Sequence, residues 1–290
     1  MDLSPVGIFS PALRRTAEHA RAAEAAAELE ELGFGSVFLP GRGRTPMEES
    51  ADLLLSATRR MVIGSGIISV WQRPAAQAAT LYTEMRRRHG PRFILGLGVS
   101  HESLVAVSGH AYQKPLAVMA QYLDELDAAE PPVPRDGRLI AALGPLMSAM
   151  ARDRCLGSFP FLISPDGTRQ ARELFGAGPK LVVSQMVVLE PDARRARELA
   201  RKELSFYLGL PNYVNNMIRG GFSREDVTPP GSDQLIDGLV ALGNAEQIAS
   251  RVKEQLDAGA DHVCLHALPL RGDELPLDTW RSLAAAAIAG

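Results

Sequence analysis

The chain has 290 residues, which suits one large domain, and 46% of them are hydrophobic, enough for a sizeable core. Its formal net charge of −3 carries no basic excess of the kind that binds nucleic acid. Cys155 and Cys264 stand too far apart for a metal motif or a disulfide framework, the opening residues lack the regions of a signal peptide, and apolar runs such as Leu181 to Leu189 are too short to span a bilayer, so a cytoplasmic, membrane-free protein is expected.

Short apolar runs alternate with helical patterns along the whole chain. Val6–Phe9 reads as the first strand, and the Ala/Glu-rich Thr16–Leu32 as a helix stopped by Gly33. Ser36–Leu39 is the second strand, and Met47–Arg60 a helix started by Thr45-Pro46. Val62–Ile68 follows as a strand, then Ala75–His89 as a helix between Pro74 and Gly90-Pro91. Phe93–Gly98 is the fourth strand and Pro115–Ala129 the next helix. Strands Leu139–Ala142, Phe159–Ile163 and Leu181–Leu189 are each followed by a helix: Pro145–Arg154, Pro165–Phe175 and Asp192–Tyr207. An excursion at about 209–244, rich in Asn, Gly and Pro, predicts short helices at Tyr213–Arg219 and Asp233–Ala241. Helix Ala245–Ala258, strand His262–Ala267 and helix Leu277–Ala287 close the chain. Strands this short and unalternating are buried on both faces, as in a parallel sheet. Eight of them alternating with helices predict a single (β/α)8 TIM barrel over residues 1–290. A doubly wound open sheet is the alternative, but the first strand runs into Ser10-Pro11-Ala12 with no G-x-G-x-x-G fingerprint.

In a barrel of this kind the site is built at the C-terminal strand ends. Those ends carry Phe9-Ser10, Pro40-Gly41-Arg42, Ser69 to Arg73, Val99-Ser100-His101-Glu102, Leu143-Gly144-Pro145, Ser164-Pro165 and His266. They hold no facing carboxylate pair, no nucleophile elbow and no His/Asp/Glu cluster with metal-ligand spacing, so no metal is expected. Glycines, small polar residues and helix starts suit a flat, phosphorylated cofactor held by main-chain amides, with the chemistry belonging to the cofactor.

Several stretches carry a resemblance: Leu32 to Leu39, Ile63-Gly64-Ser65-Gly66-Ile67, Arg73-Pro74-Ala75-Ala76 and Arg92 to Ser100. Further on come Ala142 to Met147, Pro160 to Pro165, Phe206 to Tyr213 and Leu256 to Val263. In this order, over nearly the whole chain, they resemble the luciferase-like monooxygenase superfamily, and most nearly its mycobacterial-type branch that uses the deazaflavin coenzyme F420. The Pro91-Arg92-Phe93 lead into strand four, with the following G-x-G, is the most specific of them.

The resemblance implies an oxidoreductase that moves a hydride between coenzyme F420 and a small organic substrate. It implies a non-prolyl cis peptide at Gly66-Ile67 behind the ring, with Val99, Ser100 and His101 along the ring edge. Leu143, Gly144, Pro145, Leu162, Ile163 and Ser164 match the segments that hold the ribityl chain and phosphate. A homodimer is expected, as is common in the family. An FMN-dependent monooxygenase or reductase of the same fold is the alternative, and a barrel acting only as a binding protein is a third reading. The chain departs from sugar-phosphate-oxidising relatives, because Pro40-Gly41-Arg42 stands where they carry an acidic residue and a catalytic histidine. The long lid insertions of flavin-dependent luciferases are also missing, which favours hydride transfer over oxygenation.

His101 is the candidate proton donor, with Glu102 beside it; the plainer reading gives His101 a hydrogen bond to cofactor or loop and points Glu102 to solvent. Phe9, Pro40, Trp71 and Gln72 are candidate substrate walls. Arg42, Arg44 and Arg73 could attract an anionic coenzyme tail, although arginine is common throughout the chain. His266 reads as a satisfied core histidine, His262 lies on the stability face, and His19, His89 and His110 read as surface.

Overall fold

The described residues form ten parallel strands: β1 (Val6–Phe9), β2 (Ser36–Leu39), β3 (Val62–Ser65), β4 (Ile68–Ser69), β5 (Phe93–Gly98), β6 (Arg138–Ile140), β7 (Gly157–Ser158), β8 (Lys180–Leu189), β9 (Val240–Gly243) and β10 (His262–Ala267). They belong to a computed structural model that describes residues 3–15, 19–107, 109, 111–269 and 275–288. The Thr16 start of the first expected helix, and His110, lie outside the described residues.

The hydrogen-bonded order runs β1, β2, β3, β5, β6, β7, β8, and β10 then pairs with both β8 and β1, which closes the ring. With β3 and β4 as two halves of one stave, this is a closed eight-stranded parallel barrel flanked by helices, the (β/α)8 architecture. Phe38, Ile94, Leu139, Val182 and Cys264 belong to one buried cluster, and a larger one packs the staves against the helices. Apolar residues on both faces of each strand are what a sheet covered on both sides requires.

Three differences from the expected elements have local causes. The third strand, expected as one run Val62–Ile68, is in two pieces, and the cis Gly66-Ile67 peptide that the family pattern implies lies between β3 and β4. Ser65 spans the gap: its hydroxyl donates to Gly96 O (2.9 Å) and accepts from Gly96 N (2.8 Å). The sixth strand is two residues rather than Phe159–Ile163. Pro160 has no N–H to donate and Leu162 sits at φ 54°, so the ladder cannot continue beyond the single bridge from Phe161 to Ser184.

The third difference lies in the excursion. Its second helix stops at Leu239, and Val240–Gly243 forms β9 instead of a helix tail. β8 is ten residues long, and β7 pairs with only its first two, so Met186 to Leu189 are left with an open edge. β9 covers that edge in register from Met186↔Val240 to Leu189↔Gly243. A four-residue apolar run does not distinguish strand from helix by periodicity, and the partner decided it. The other expected helices form with shifts of a residue or a few at their ends, among them Ala75–His89, Pro145–Arg154, Pro165–Phe175 and Leu277–Ala287 with unchanged bounds.

Candidate functional site

Three adjoining hollows open at the C-terminal end of the barrel. The largest, about 700 Å³, lies over the ends of β1 to β4 and is bordered by Phe9, Pro40, Gly66, Ile67, Gln72 and Ser100. A second, of about 310 Å³, shares Ile67, Ser100, Phe159, Phe161 and Tyr213 with it and adds Val99, His101, Leu143 and Gly144. A third, of about 150 Å³, shares Leu143 and Arg219 with the second and is bordered by Pro145, Leu162, Ile163 and Ser164. The expected site residues thus come together on one path, with two exceptions. Glu102 is exposed at the start of a short helix (Glu102–Val107) and borders none of the three hollows. Trp71 lies behind the wall: its indole N–H donates to Val99 O (2.6 Å) and its ring packs on Tyr112 at 5.7 Å.

The path has a narrow backbone. Ser100 and Leu162 sit at φ 57° and 54°, each at the end of a stave, conformations that non-glycine residues hold only when the surroundings enforce them. Gly98 lies under Ile67, where a Cβ would come 2.6 Å from Ile67 Cδ1, so a side chain there would push the Ile67 side chain aside. Ser164 caps its helix by accepting from Gly167 N (3.1 Å). Behind that cap, Gln255 donates to Ile163 O (3.1 Å) and to Gln185 Oε1 (2.9 Å) and accepts from Thr168 Oγ1 (2.6 Å), a buried amide network that fixes the strand-six loop against the neighbouring staves.

The polar groups facing the hollows are less well served. His101 is half-buried, its ring 5.1 Å from Tyr213, and its Nδ1 is buried without a hydrogen-bond partner. Burial disfavours its charged form and pushes its pKa below the ordinary imidazole value. Ser69 Oγ and Ser184 Oγ, both on the large hollow, are likewise buried and unpartnered. His266 is buried in an aromatic cluster, with ring centroids 4.8 Å from Phe9 and 5.8 Å from Phe161. Burial also raises the phenols of Tyr207 and Tyr213 above their usual range, so both remain neutral walls.

His262 sits at the opposite end, fully buried. Its Nδ1 donates to Ser4 O, so its Nε2 is the acceptor for the Ser36 hydroxyl at 2.7 Å, and burial lowers its pKa to about 4. Two arginines were not expected in the site. Arg14, on the short helix Ala12–Arg15 that follows β1, borders the large hollow and is 3% exposed. Arg219, inside the excursion, donates to Leu143 O (3.2 Å) and borders the two smaller hollows. Neither carries a local sequence signal, since both depend on where a loop returns to the strand ends. Among the described residues no three His, Cys, Asp or Glu side chains converge as a metal site, and no helix is long and apolar enough to cross a membrane.

Comparison with known proteins identifies the family. The family model for luciferase-like monooxygenases matches residues 5–262. A Mycobacterium tuberculosis protein assigned as a coenzyme F420-dependent oxidoreductase is 23% identical over 304 aligned positions, covering 79% of this chain and 86% of the relative. An F420-dependent secondary alcohol dehydrogenase, solved with an F420-acetone adduct, superposes with a TM-score of 0.72 at 14% identity, over 99% of both chains. The FMN-bound oxygenating constituent of 3,6-diketocamphane monooxygenase from Pseudomonas putida superposes with a TM-score of 0.68 at 12% identity, over 99% of this chain and 98% of that one. The fold, the order of its staves and a family match over most of its length agree: the chain belongs to the luciferase-like monooxygenase family.

Proposed function

We propose that this protein is an oxidoreductase that uses coenzyme F420 and exchanges a hydride with a small organic substrate. The observation that carries the reading is the set of unpartnered buried polar atoms, Ser69 Oγ, Ser184 Oγ and His101 Nδ1, along adjoining hollows of about 700, 310 and 150 Å³. An unpaired buried polar atom costs about 1–3 kcal/mol, which a polar ring and side chain would relieve. The mycobacterial relative supports the choice of coenzyme.

Ile67, Ser100 and Val99 would hold the ring, and Leu143, Gly144, Leu162, Ile163 and Ser164 the extended side chain, with Arg219 as the nearby cation. When bound, the coenzyme supplies the hydride-accepting or hydride-donating centre. The protein supplies orientation, exclusion of water and one proton site. His101 rests neutral near pH 7 because burial disfavours its imidazolium. That state suits taking a proton from a substrate hydroxyl as hydride leaves, and returning it in the reverse direction.

FMN is the second reading, favoured by the FMN-bound neighbour of the same fold. Fluorescence titration of the purified protein with each coenzyme separates them. Saturable micromolar binding to oxidised F420 alone supports the proposal, binding to FMN alone replaces it with a flavin enzyme, and binding to neither leaves a barrel that acts as a binding protein.

A further inference from the structure

The large hollow is lined by Arg14, Arg42, Arg44 and Arg73, and among the described residues no aspartate or glutamate lines it. Arg14 comes from the short helix after β1, and the other three from the loops after β2 and β4. Arg73 is ion-paired with Glu48, so that carboxylate is already engaged. Among the described residues Arg42 and Arg44 are exposed and have no carboxylate partner. Arg14 is the unusual member. It is 3% exposed, its Nη2 donates to Thr45 O (2.7 Å), its Nη1 meets only Met47 Sδ (3.2 Å), and its Nε is buried with no partner. Two of these contacts brace the loop to Met47, but neither neutralises the charge. Burial and the nearby Arg73 both disfavour the charged form of Arg14, opposed by the field of Glu48.

A guanidinium buried without a counter-ion is costly unless an anion completes it. Its planar fork matches the oxygens of carboxylate and phosphate. The hollow also offers an apolar wall from Phe9, Phe161 and Tyr207. We propose that it binds the substrate by an oxyanion, a carboxylate or phosphate set against Arg14, Arg42, Arg44 and Arg73, with an apolar body against those aromatic rings. The substrate class is therefore an apolar organic acid or phosphate ester. The choice of substrate over coenzyme tail rests on the coenzyme reading above: with the ring at Ile67 and Ser100, the side chain leaves through the two smaller hollows, on the opposite side of the shared wall from the arginines.

The test is calorimetric titration at low ionic strength with 3-phenylpropionate and with its uncharged amide, on the parent protein, on Arg14→Gln and on the double variant Arg42→Gln with Arg44→Gln. Coenzyme F420 and its deazaflavin fragment lacking phosphate and glutamates are titrated in parallel. The acid is expected to bind at least about tenfold more tightly than the amide, that preference to be lost in either variant, and coenzyme affinity to hold. The double variant alters exposed positions, so it decides the matter even if Arg14→Gln fails to fold. Equal binding of acid and amide, or acid binding indifferent to both variants, overturns the proposal. So does a loss of F420 affinity in the variants that the tail-free fragment does not share, since the arginines would then hold the coenzyme tail. Arginine-dependent acid binding by a protein that takes no F420 would retain the anion site and discard the coenzyme reading alone.

Discussion

The same eight staves treat their polar groups in opposite ways at their two ends. At the N-terminal end almost every buried polar group is engaged. His262 uses both ring nitrogens, on Ser4 O and Ser36 Oγ. The Glu30 carboxylate accepts from three consecutive amides, of Arg59, Arg60 and Met61, and Asp261 joins Arg172 to Leu181 N. Arg138 keeps one nitrogen without a hydrogen bond, but the same guanidinium pairs with Asp127 at 2.6 Å. At the C-terminal end Arg14 Nε, Ser69 Oγ, His101 Nδ1 and Ser184 Oγ are buried without partners, and all four border the hollows. One end spends its polar chemistry on stability and the other holds it in reserve for a ligand, the division of labour that barrels of this type allow.

The largest expected break comes from filling the tight end. A Cβ on Gly7 would lie 2.2 Å from Ser36 Oγ and 2.5 Å from His262 Nε2, inside any real contact distance. Gly7→Ala, on the first stave, therefore forces apart the Ser36–His262 hydrogen bond that holds the second and last staves, at an expected cost of about 3 kcal/mol in urea unfolding. A midpoint within error of the parent would show that this end has slack. The next effect is a pH dependence. The folded pKa of His262 is about 4, below its ordinary 6.5, so the unfolded chain takes up a proton that the folded chain refuses. Its contribution is complete above pH 6.5 and is lost as pH falls towards 4, by up to about 3 kcal/mol. His262→Gln should flatten that part of the stability curve, and an unchanged slope would assign the acid lability elsewhere.

The sequence made this division legible at the level of staves and not at the level of single polar atoms. Period and punctuation set the helices, and the glycine-rich stretch at Ile63–Ile67 marked where the third stave breaks, because its match to a family pattern spans consecutive residues. β9 was missed because Val240–Gly243 has meaning only beside the overhang of β8. Trp71 and Glu102 were read as site residues because they adjoin strand ends, yet adjacency along the chain does not fix direction: one turns back to Val99 O and the other to solvent. Arg14 was missed for the converse reason. Nothing in its neighbours in sequence shows that Thr45 and Met47 return over it.

A third test sharpens the comparison at the working end. His101→Ala should leave F420 binding within a few-fold while turnover with a competent substrate falls by roughly 10²-fold or more. Unchanged turnover would reduce His101 to a wall residue. Because burial lowers its pKa, the limb of the pH–rate profile that it controls should lie on the acid side of the ordinary imidazole value, with the rate of hydroxyl oxidation rising as pH climbs through it.

The smallest effect is the most direct measure of the contrast between the ends. Ser36 and Ser184 are both buried serines on barrel strands, 0% and 3% exposed. The hydroxyl of Ser36 is bonded to His262, and that of Ser184 has no partner. Ser36→Ala should cost about 1–2 kcal/mol, since it leaves the imidazole acceptor unsatisfied, whereas Ser184→Ala should change stability by no more than about 0.5 kcal/mol, because no bond is lost and a costly desolvated hydroxyl is removed. The order should reverse for the ligand, with Ser184→Ala weakening binding in the large hollow and Ser36→Ala leaving it alone. Equal stability losses at the two positions would mean that the open end is as fully satisfied as the closed one, and the unpartnered atoms there would no longer point to a ligand.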